Sequence, residues 1–302
     1  MKILVTGTQG QLALSLAERA AGNEQLRVSL VGRPDLDLAI AGSSRSAIIS
    51  AHPDLVINAA AFTAVDLAET EGHVAGWIND EAAGEIASAA REVGAPVIHI
   101  STDYVFDGQA TEPYVETASP NPINAYGRSK LAGEEAVRAA NPNHLILRTS
   151  WLVSPFGRNF VRTMVELAQV RDTLSVIADQ YGSPTSALDL ADAILVVARR
   201  WKTGDRTRVG QTYHIAGTGV ASWYDLAVAV ENELSQLGLQ SARVVRIKTA
   251  EWPTAAARPA YSALDTSAFT RDFGYLMQDW RVAVATVVER LAMFQSADEA
   301  RR

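Results

Sequence analysis

The sequence predicts an α/β fold, a parallel doubly wound sheet followed by a smaller α/β unit, and three observations predict it. Short apolar runs of strand length alternate with helix-length runs through the first half of the chain, the pattern of right-handed βαβ units. The first of these runs enters a turn carrying two glycines and leaves it as a helix. Beyond Gly219 the alternation gives way to a long helix, a strand, a loop and two more helices, which reads as a second unit.

The elements follow in order. Residues 2–6 form a short buried-strand pattern that runs into Gly7-Thr8-Gln9-Gly10-Gln11-Leu12-Ala13, and residues 14–21 are helical. Glycines let the backbone turn sharply and approach a pyrophosphate without a Cβ in the way, while a helix N-terminus favours the phosphate charge. The spacing is Gly-x-x-Gly-x-x-Ala, with Ala13 small enough for close helix–strand packing. Such a turn taken alone is equally an ordinary strand–helix connection. Strands are expected at 27–31, 55–58, 97–100 and 145–147, and helices at 44–51, 64–93 (broken near Gly72) and 125–140. Then come strands at 174–177 and 212–215, with a helix at 187–200 between them. The last unit carries a helix at 222–237, a strand at 243–247, a loop at 251–259 and helices near 266–273 and 282–294, ending in a frayed tail at 296–302. No repeat or low-complexity linker interrupts this order, and the whole reads as a Rossmann-type sheet with a smaller α/β C-terminal domain.

Composition excludes several classes. With 302 residues and 48% hydrophobic content the chain can bury a large core in one or two domains. It has no cysteine, so there is no disulfide framework, thiol nucleophile or zinc–thiolate site. The chain opens without a leader-like pattern and has no apolar stretch of membrane-spanning length, so a cytoplasmic, membrane-free protein is expected. A net charge of −7 argues against non-specific nucleic-acid binding, and any anionic ligand must be held by local cations and helix dipoles.

In open α/β sheets the strand tips carry the chemistry. Arg33 follows the second strand where an adenosine ribose would lie; a guanidinium there suits a 2′-phosphate, and an ordinary surface arginine is the plain alternative. Asp35 and Asp37 suit an adenine amino group or simple turn chemistry. Small residues in Asn58-Ala59-Ala60-Ala61-Phe62-Thr63 would admit a dinucleotide across the sheet edge, or permit tight helix packing. Tyr126 and Lys130 stand four apart on one helical face, so an ammonium can sit beside a phenol. A neighbouring cation pulls the phenol pKa of about 10 toward the working pH, as a general acid requires. Upstream, Ser101-Thr102-Asp103-Tyr104 is a hydroxyl-rich turn directly after an apolar run.

Together these blocks resemble an extended short-chain dehydrogenase/reductase, and within that superfamily the dTDP-4-dehydrorhamnose reductase family. The resemblance spans nearly the whole chain. It rests on Thr6-Gly7-x-x-Gly10-Gln11, Asn58-Ala59-Ala60-Ala61-x-Thr63-Ala64-Val65-Asp66, Ser101-Thr102-Asp103-Tyr104-Val105-Phe106-Asp107-Gly108 and Tyr126-Gly127-x-x-Lys130. Leu147-Arg148-Thr149-Ser150-Trp151, Asp179-Gln180-Tyr181-Gly182-x-Pro184-Thr185 and Ala257-Arg258-Pro259-Ala260-Tyr261 continue it. What the resemblance implies is reduction of the 4-keto group of dTDP-4-dehydro-β-L-rhamnose to dTDP-L-rhamnose, with NADPH or NADH as hydride donor. It makes Tyr126 the proton donor, Thr102 a partner of the same oxygen, and Lys130 both a modulator of the phenol and a ligand of the nicotinamide ribose. Gly10, Gln11 and Leu12 would hold the pyrophosphate, Asp37 and Leu38 the adenosine end, and Ala61, Phe62 and Thr63 the middle; Gly7 and Arg33 join these cofactor contacts by their places in the glycine turn and after the second strand. Thr102, Asp103 and Trp151 would contact the sugar and Arg258 the substrate diphosphate; strand termination, core packing and a solvated loop arginine are the plain alternatives.

From the strand–helix alternation and the change of pattern after Gly219, residues 1–148 are expected to form the dinucleotide-binding domain, with 172–216 returning to it, and 149–171 and 217–302 the substrate domain. Some relatives carry carboxylates for magnesium at a dimer contact, but Leu188 stands where one such glutamate would align, so no metal is expected and a homodimer stays open. The five histidines are assigned to packing and caps. Competing readings are another sugar-nucleotide reductase, epimerase or dehydratase of the superfamily, and a non-catalytic, reductase-like regulatory subunit.

Overall fold

The computed structural model describes residues 1–299, with side chains described through Met293. In chain order the strands are β1 (Lys2–Thr6), β2 (Arg27–Val31), β3 (Leu55–Asn58), β4 (Val97–Thr102), β5 (His144–Thr149), β6 (Leu152–Val153), β7 (Thr173–Ile177), β8 (Tyr181–Gly182), β9 (Thr185–Ser186), β10 (Gln211–His214), β11 (Ala221–Ser222) and β12 (Arg243–Ile247). The helices are α1 (Gln11–Arg19), α2 (Ser43–Ala51), α3 (Val65–Ala68), α4 (Gly72–Gly76), α5 (Ala82–Glu92), α6 (Ala125–Ala140), α7 (Phe160–Ala168), α8 (Ala187–Lys202), α9 (Trp223–Gln236), α10 (Ser267–Phe273) and α11 (Trp280–Glu299).

Six parallel strands form the central sheet in the order β10-β5-β4-β3-β1-β2. The order reverses at β1, the topological switch point beside which such sheets bind ligands. Alternate side chains feed the two faces, as strand geometry requires. Ile3, Val5, Leu55, Ile57, Ile98, Leu145 and Leu147 pack toward α1 and α8. Leu4, Val56 and Val97 pack toward the other layer, which α2, α5 and α6 supply. Burial on both faces is why the central strands read as unbroken apolar runs.

A second apolar cluster joins α7, α9 and α11 over β7 and β12. Here the expected organisation needs correction. Of residues 172–216, α8 and β10 do return to the central sheet, but β7 pairs in parallel with β12, register Leu174↔Val244 and Val176↔Arg246. Its alternation, with Leu174 and Val176 buried and Thr173 and Ser175 exposed, suits a two-stranded sheet covered on one face rather than a central strand. Conversely α10 lies within the 217–302 segment yet places Phe269 and Phe273 in the first core.

Local departures have local causes. The expected break near Gly72 is present, and a π-helical turn at Trp77–Glu81 follows it. The helix α7 is absent from the expectations, although Asn159 caps it and Val161, Met164, Val165 and Ala168 mark one buried face. Helix α11 runs to Glu299, past the expected onset of fraying at Ser296; residues 300–302 of that expected tail lie outside the described residues. Among the described residues no helix is long and apolar enough to cross a membrane.

Candidate active site

The tips of β1 to β4 and the start of α6 bring most of the expected residues together. Gly10 is the N-cap of α1 without a side-chain cap, and no acidic residue occupies the first turn. The first N–H groups of the helix are therefore left for an outside acceptor. A Cβ built on Gly10 would meet nothing within 4 Å, so the space above the turn is open. This turn floors a cleft of about 600 Å³ also lined by Gly7, Gln11, Leu12, Arg33, Asp37, Leu38, Ala61 and Thr63. Its shape, open helix N-terminus and cations fit an extended anionic dinucleotide. Phe62 does not line it: Asn79, on the π-helical turn, clamps that backbone through Phe62 N (2.8 Å) and O (3.0 Å). Such a turn commonly marks a functional position.

A second cavity of about 260 Å³ joins the cleft at Thr63 and Leu152 and is lined by Thr102, Asp103, Tyr126 and Trp151. Thr102 ends β4, and its hydroxyl donates to Asp103 Oδ1 (3.1 Å) while accepting from the Tyr104 N–H (3.1 Å). Ser150 donates to Asp103 Oδ2 (3.1 Å). Burial pushes the Asp103 carboxyl up to about 6, against hydrogen bonds that favour its ionised form. The phenol of Tyr126 is pushed up to about 12, chiefly by burial, with a hydrogen bond to Thr102 acting in the opposite sense. Tyr126 is half-buried as a residue, and its side chain lines the cavity.

Lys130 departs from the expectation of an ammonium beside the phenol. Its Nζ donates to the carbonyl of Ile100 (2.7 Å) and lies 3.4 Å from His99 Nε2, and Lys130 is not among the causes of the Tyr126 shift. Helical spacing put both residues on one face, but the buried carbonyl at the end of β4 captures the cation. Burial lowers the Lys130 pKa to about 8, partly offset by the Glu134 charge. Ile100 lines the cleft, so Lys130 lies just beneath its floor.

Hydrogen-bond counting extends this network. The Thr6 hydroxyl accepts from the N–H groups of Ala59 (3.1 Å) and Ala60 (3.0 Å), which leaves it to donate to Asn58 Oδ1 (2.9 Å). The Asn58 amide then donates to His99 Nδ1 (3.0 Å), so the neutral imidazole carries its proton on Nε2, toward Lys130. The packing role expected for His99 thus puts a ring N–H against the lysine, two donors side by side, and the ammonium's acceptor is the Ile100 carbonyl.

Trp151 lines the second cavity from a left-handed backbone, φ 45°, uncommon outside glycine. Its ring stacks on Trp223 (centroids 3.5 Å apart, planes within 5°), and a Cβ on Gly182 would fall 2.5 Å from it. Trp223 and Phe160 complete this aromatic wall; neither was anticipated, and the missed α7 is the reason for the second. Arg258 is not brought into either cavity. It forms a bidentate pair with Asp66, 2.7 and 3.1 Å, at the rim near Tyr104. Leu188 is buried in α8, and among the described residues no group of three His, Asp or Glu side chains is placed to hold a metal.

A Rossmann-type sheet with a glycine turn at its switch point and Thr102, Tyr126 and Lys130 around the next strand tips defines an extended short-chain dehydrogenase/reductase. The comparisons specify it further. The family described as the RmlD substrate binding domain matches residues 1–293. A dTDP-4-dehydrorhamnose reductase of Sinorhizobium fredii is 42% identical over 97% of this chain and 98% of its own length. One of Escherichia coli K12 is 39% identical over 96% and 98%. The crystal structure of a dTDP-4-dehydrorhamnose reductase from Clostridium acetobutylicum superposes with a TM-score of 0.89 at 37% identity, covering 97% of this chain and all of that one. That from Bacillus anthracis, in complex with NADP, gives 0.85 at 35%, covering 97% and 98%. The chain belongs to the dTDP-4-dehydrorhamnose reductase family.

Proposed function

We propose that this protein reduces the 4-keto group of dTDP-4-dehydro-β-L-rhamnose to give dTDP-L-rhamnose, using NADPH or NADH. The observation that carries the reading is the convergence of Thr102, Asp103 and Tyr126 on one cavity that opens into the glycine-floored cleft. The nicotinamide, when bound, supplies the hydride. Gly7, Gly10, Gln11 and Leu12 hold the diphosphate; Arg33, Asp37 and Leu38 hold the adenosine end; Ala61, Phe62 and Thr63 line the middle.

Tyr126 keeps its proton at neutral pH, which suits a donor to the alkoxide that forms at C4. Thr102 gives its single proton to the Asp103 carboxylate in the resting site, so it becomes a second donor to the same oxygen only by turning that proton from Asp103 toward the developing negative charge. Lys130, largely charged at neutrality, presents its ammonium at the Ile100 floor, where it would meet the cofactor ribose; acting on Tyr126 as well would require it to leave the Ile100 carbonyl. Trp151 packs on the sugar. Arg258 binds the substrate diphosphate only by sharing or leaving Asp66.

Two lobes fit this division of labour: the central sheet with α8, β10 and α10 holds the dinucleotide, and the β7–β12 unit with α7, α9 and α11 closes on the substrate. A cytoplasmic setting and a monomer or homodimer are compatible with it; light scattering after size exclusion reads the second. The test is stoichiometry. Purified protein supplied with the keto-sugar nucleotide should oxidise one NADPH per sugar reduced, whereas an epimerase or dehydratase recycles its cofactor and a regulatory subunit oxidises none.

A further inference from the structure

We infer that Arg158, on the loop between β6 and α7, is a cofactor-binding residue that clamps the dinucleotide diphosphate from the substrate lobe. The inference rests on the dinucleotide reading of the cleft. The cleft lining carries two arginines, Arg33 and Arg158, against one carboxylate, Asp37. Both arginines are exposed, and neither has a hydrogen bond or ion pair to the described residues. In a chain of net charge −7, an unpaired guanidinium lining an anion-shaped cleft is a ready partner for phosphate oxygens.

Position distinguishes the two. Arg33 lies at the tip of β2 near Asp37 and Leu38, the adenosine end. Arg158 follows Gly157, whose Cβ position lies 3.5 Å from Gln11 Cγ and 3.6 Å from the Gln9 carbonyl, directly on the glycine turn. The loop is held there: Ser154 Oγ is 2.9 Å from Gln11 Oε1, Asn159 Nδ2 donates to the Ser154 carbonyl (2.8 Å), and Arg162 donates to the Pro155 carbonyl (2.6 Å). A phosphate over the N-terminus of α1 therefore lies between the glycine turn on one side and Arg158 on the other. The diphosphate is common to NADPH and NADH, so Arg158 serves both.

The experiment is equilibrium binding of NADPH and of NADH to the full chain, followed by nicotinamide fluorescence, for the parent, Arg158→Ala and Arg33→Ala. Arg158→Ala should weaken both cofactors about fivefold by the same factor, with an unchanged thermal melting point, and the gap to the parent should narrow in high salt. Equal affinities in parent and variant overturn the inference. Loss confined to NADPH overturns it too, because it would put Arg158 on the 2′-phosphate. A parent that binds neither cofactor would refute the dinucleotide reading itself, a result distinct from either.

Discussion

At the scale of single residues, two titrating groups set the working range. Asp103 accepts from Thr102 on Oδ1 and from Ser150 on Oδ2, and burial holds its pKa near 6, so as pH falls through about 6 one of these oxygens turns from acceptor to donor and the negative charge is lost. Lys130 is held near 8, so its ammonium is lost as pH rises through about 8. The profile of kcat/KM in the cofactor-free enzyme should therefore be bell-shaped between these limits. Asp103→Asn should abolish the acid limb; an acid limb that survives assigns it elsewhere. Tyr126→Phe should lower turnover by about 10²–10⁴-fold, the usual weight of general acid catalysis, with cofactor affinity unchanged. Near-normal turnover would show that another group supplies the proton.

At the scale of elements, α6 is the part that must not move. Asn124 caps it, accepting from the Gly127 N–H (2.7 Å) while donating to the Ala257 carbonyl (2.9 Å). Gly127 and Gly133 let the helix approach closely: a Cβ would fall 2.1 Å from the Tyr104 carbonyl in the first case and 1.9 Å from that of Asn79 in the second. Beneath it, Glu134 is fully buried and accepts from Ser101 (2.6 Å), Arg148 (2.7 and 2.8 Å) and Arg138 (2.8 Å). Removing one partner from a buried pair strands the other charge, which costs about 3–5 kcal/mol. Glu134→Gln should lower stability by that order in urea denaturation, and by far more than Glu92→Gln, whose pair with Arg45 is solvated. Equal effects would mean that the buried network contributes no more than a surface bridge.

At the scale of the whole molecule, an acidic protein carries a locally basic cleft, which suits an anionic cofactor. Arg33 is exposed, so its contact with a 2′-phosphate is worth roughly 1 kcal/mol, about fivefold, rather than the larger value of a buried pair. NADPH should be used at least as well as NADH, and Arg33→Ala should cut the ratio of their specificity constants by about that factor. A ratio unmoved by the substitution would remove Arg33 from the phosphate site. The lobes also meet away from the cleft, where Arg290 of α11 pairs with Glu18 of α1 at 2.7 and 2.8 Å.

The sequence by itself determined the central sheet, because strands buried on both faces leave unbroken apolar runs between helices; β1, β2, β3 and α6 match their expected bounds. It also marked the glycine turn and the Tyr126–Lys130 spacing, which are local patterns along single chain segments; the role expected of Thr102 came from the family resemblance. Only the tertiary structure decided what depends on partners distant in sequence. The alternation of β7 marks a strand covered on one face but not its partner, and pairing with β12, some seventy residues on, settled that. Helical spacing put Lys130 on the face of Tyr126, yet the Ile100 carbonyl took its ammonium. Arg258 has the right chemistry for a phosphate, but Asp66, which holds it, lies 192 positions earlier. Trp223, Phe160 and Arg158 carry no local motif, and they enter the cavities because the second lobe folds back onto the first.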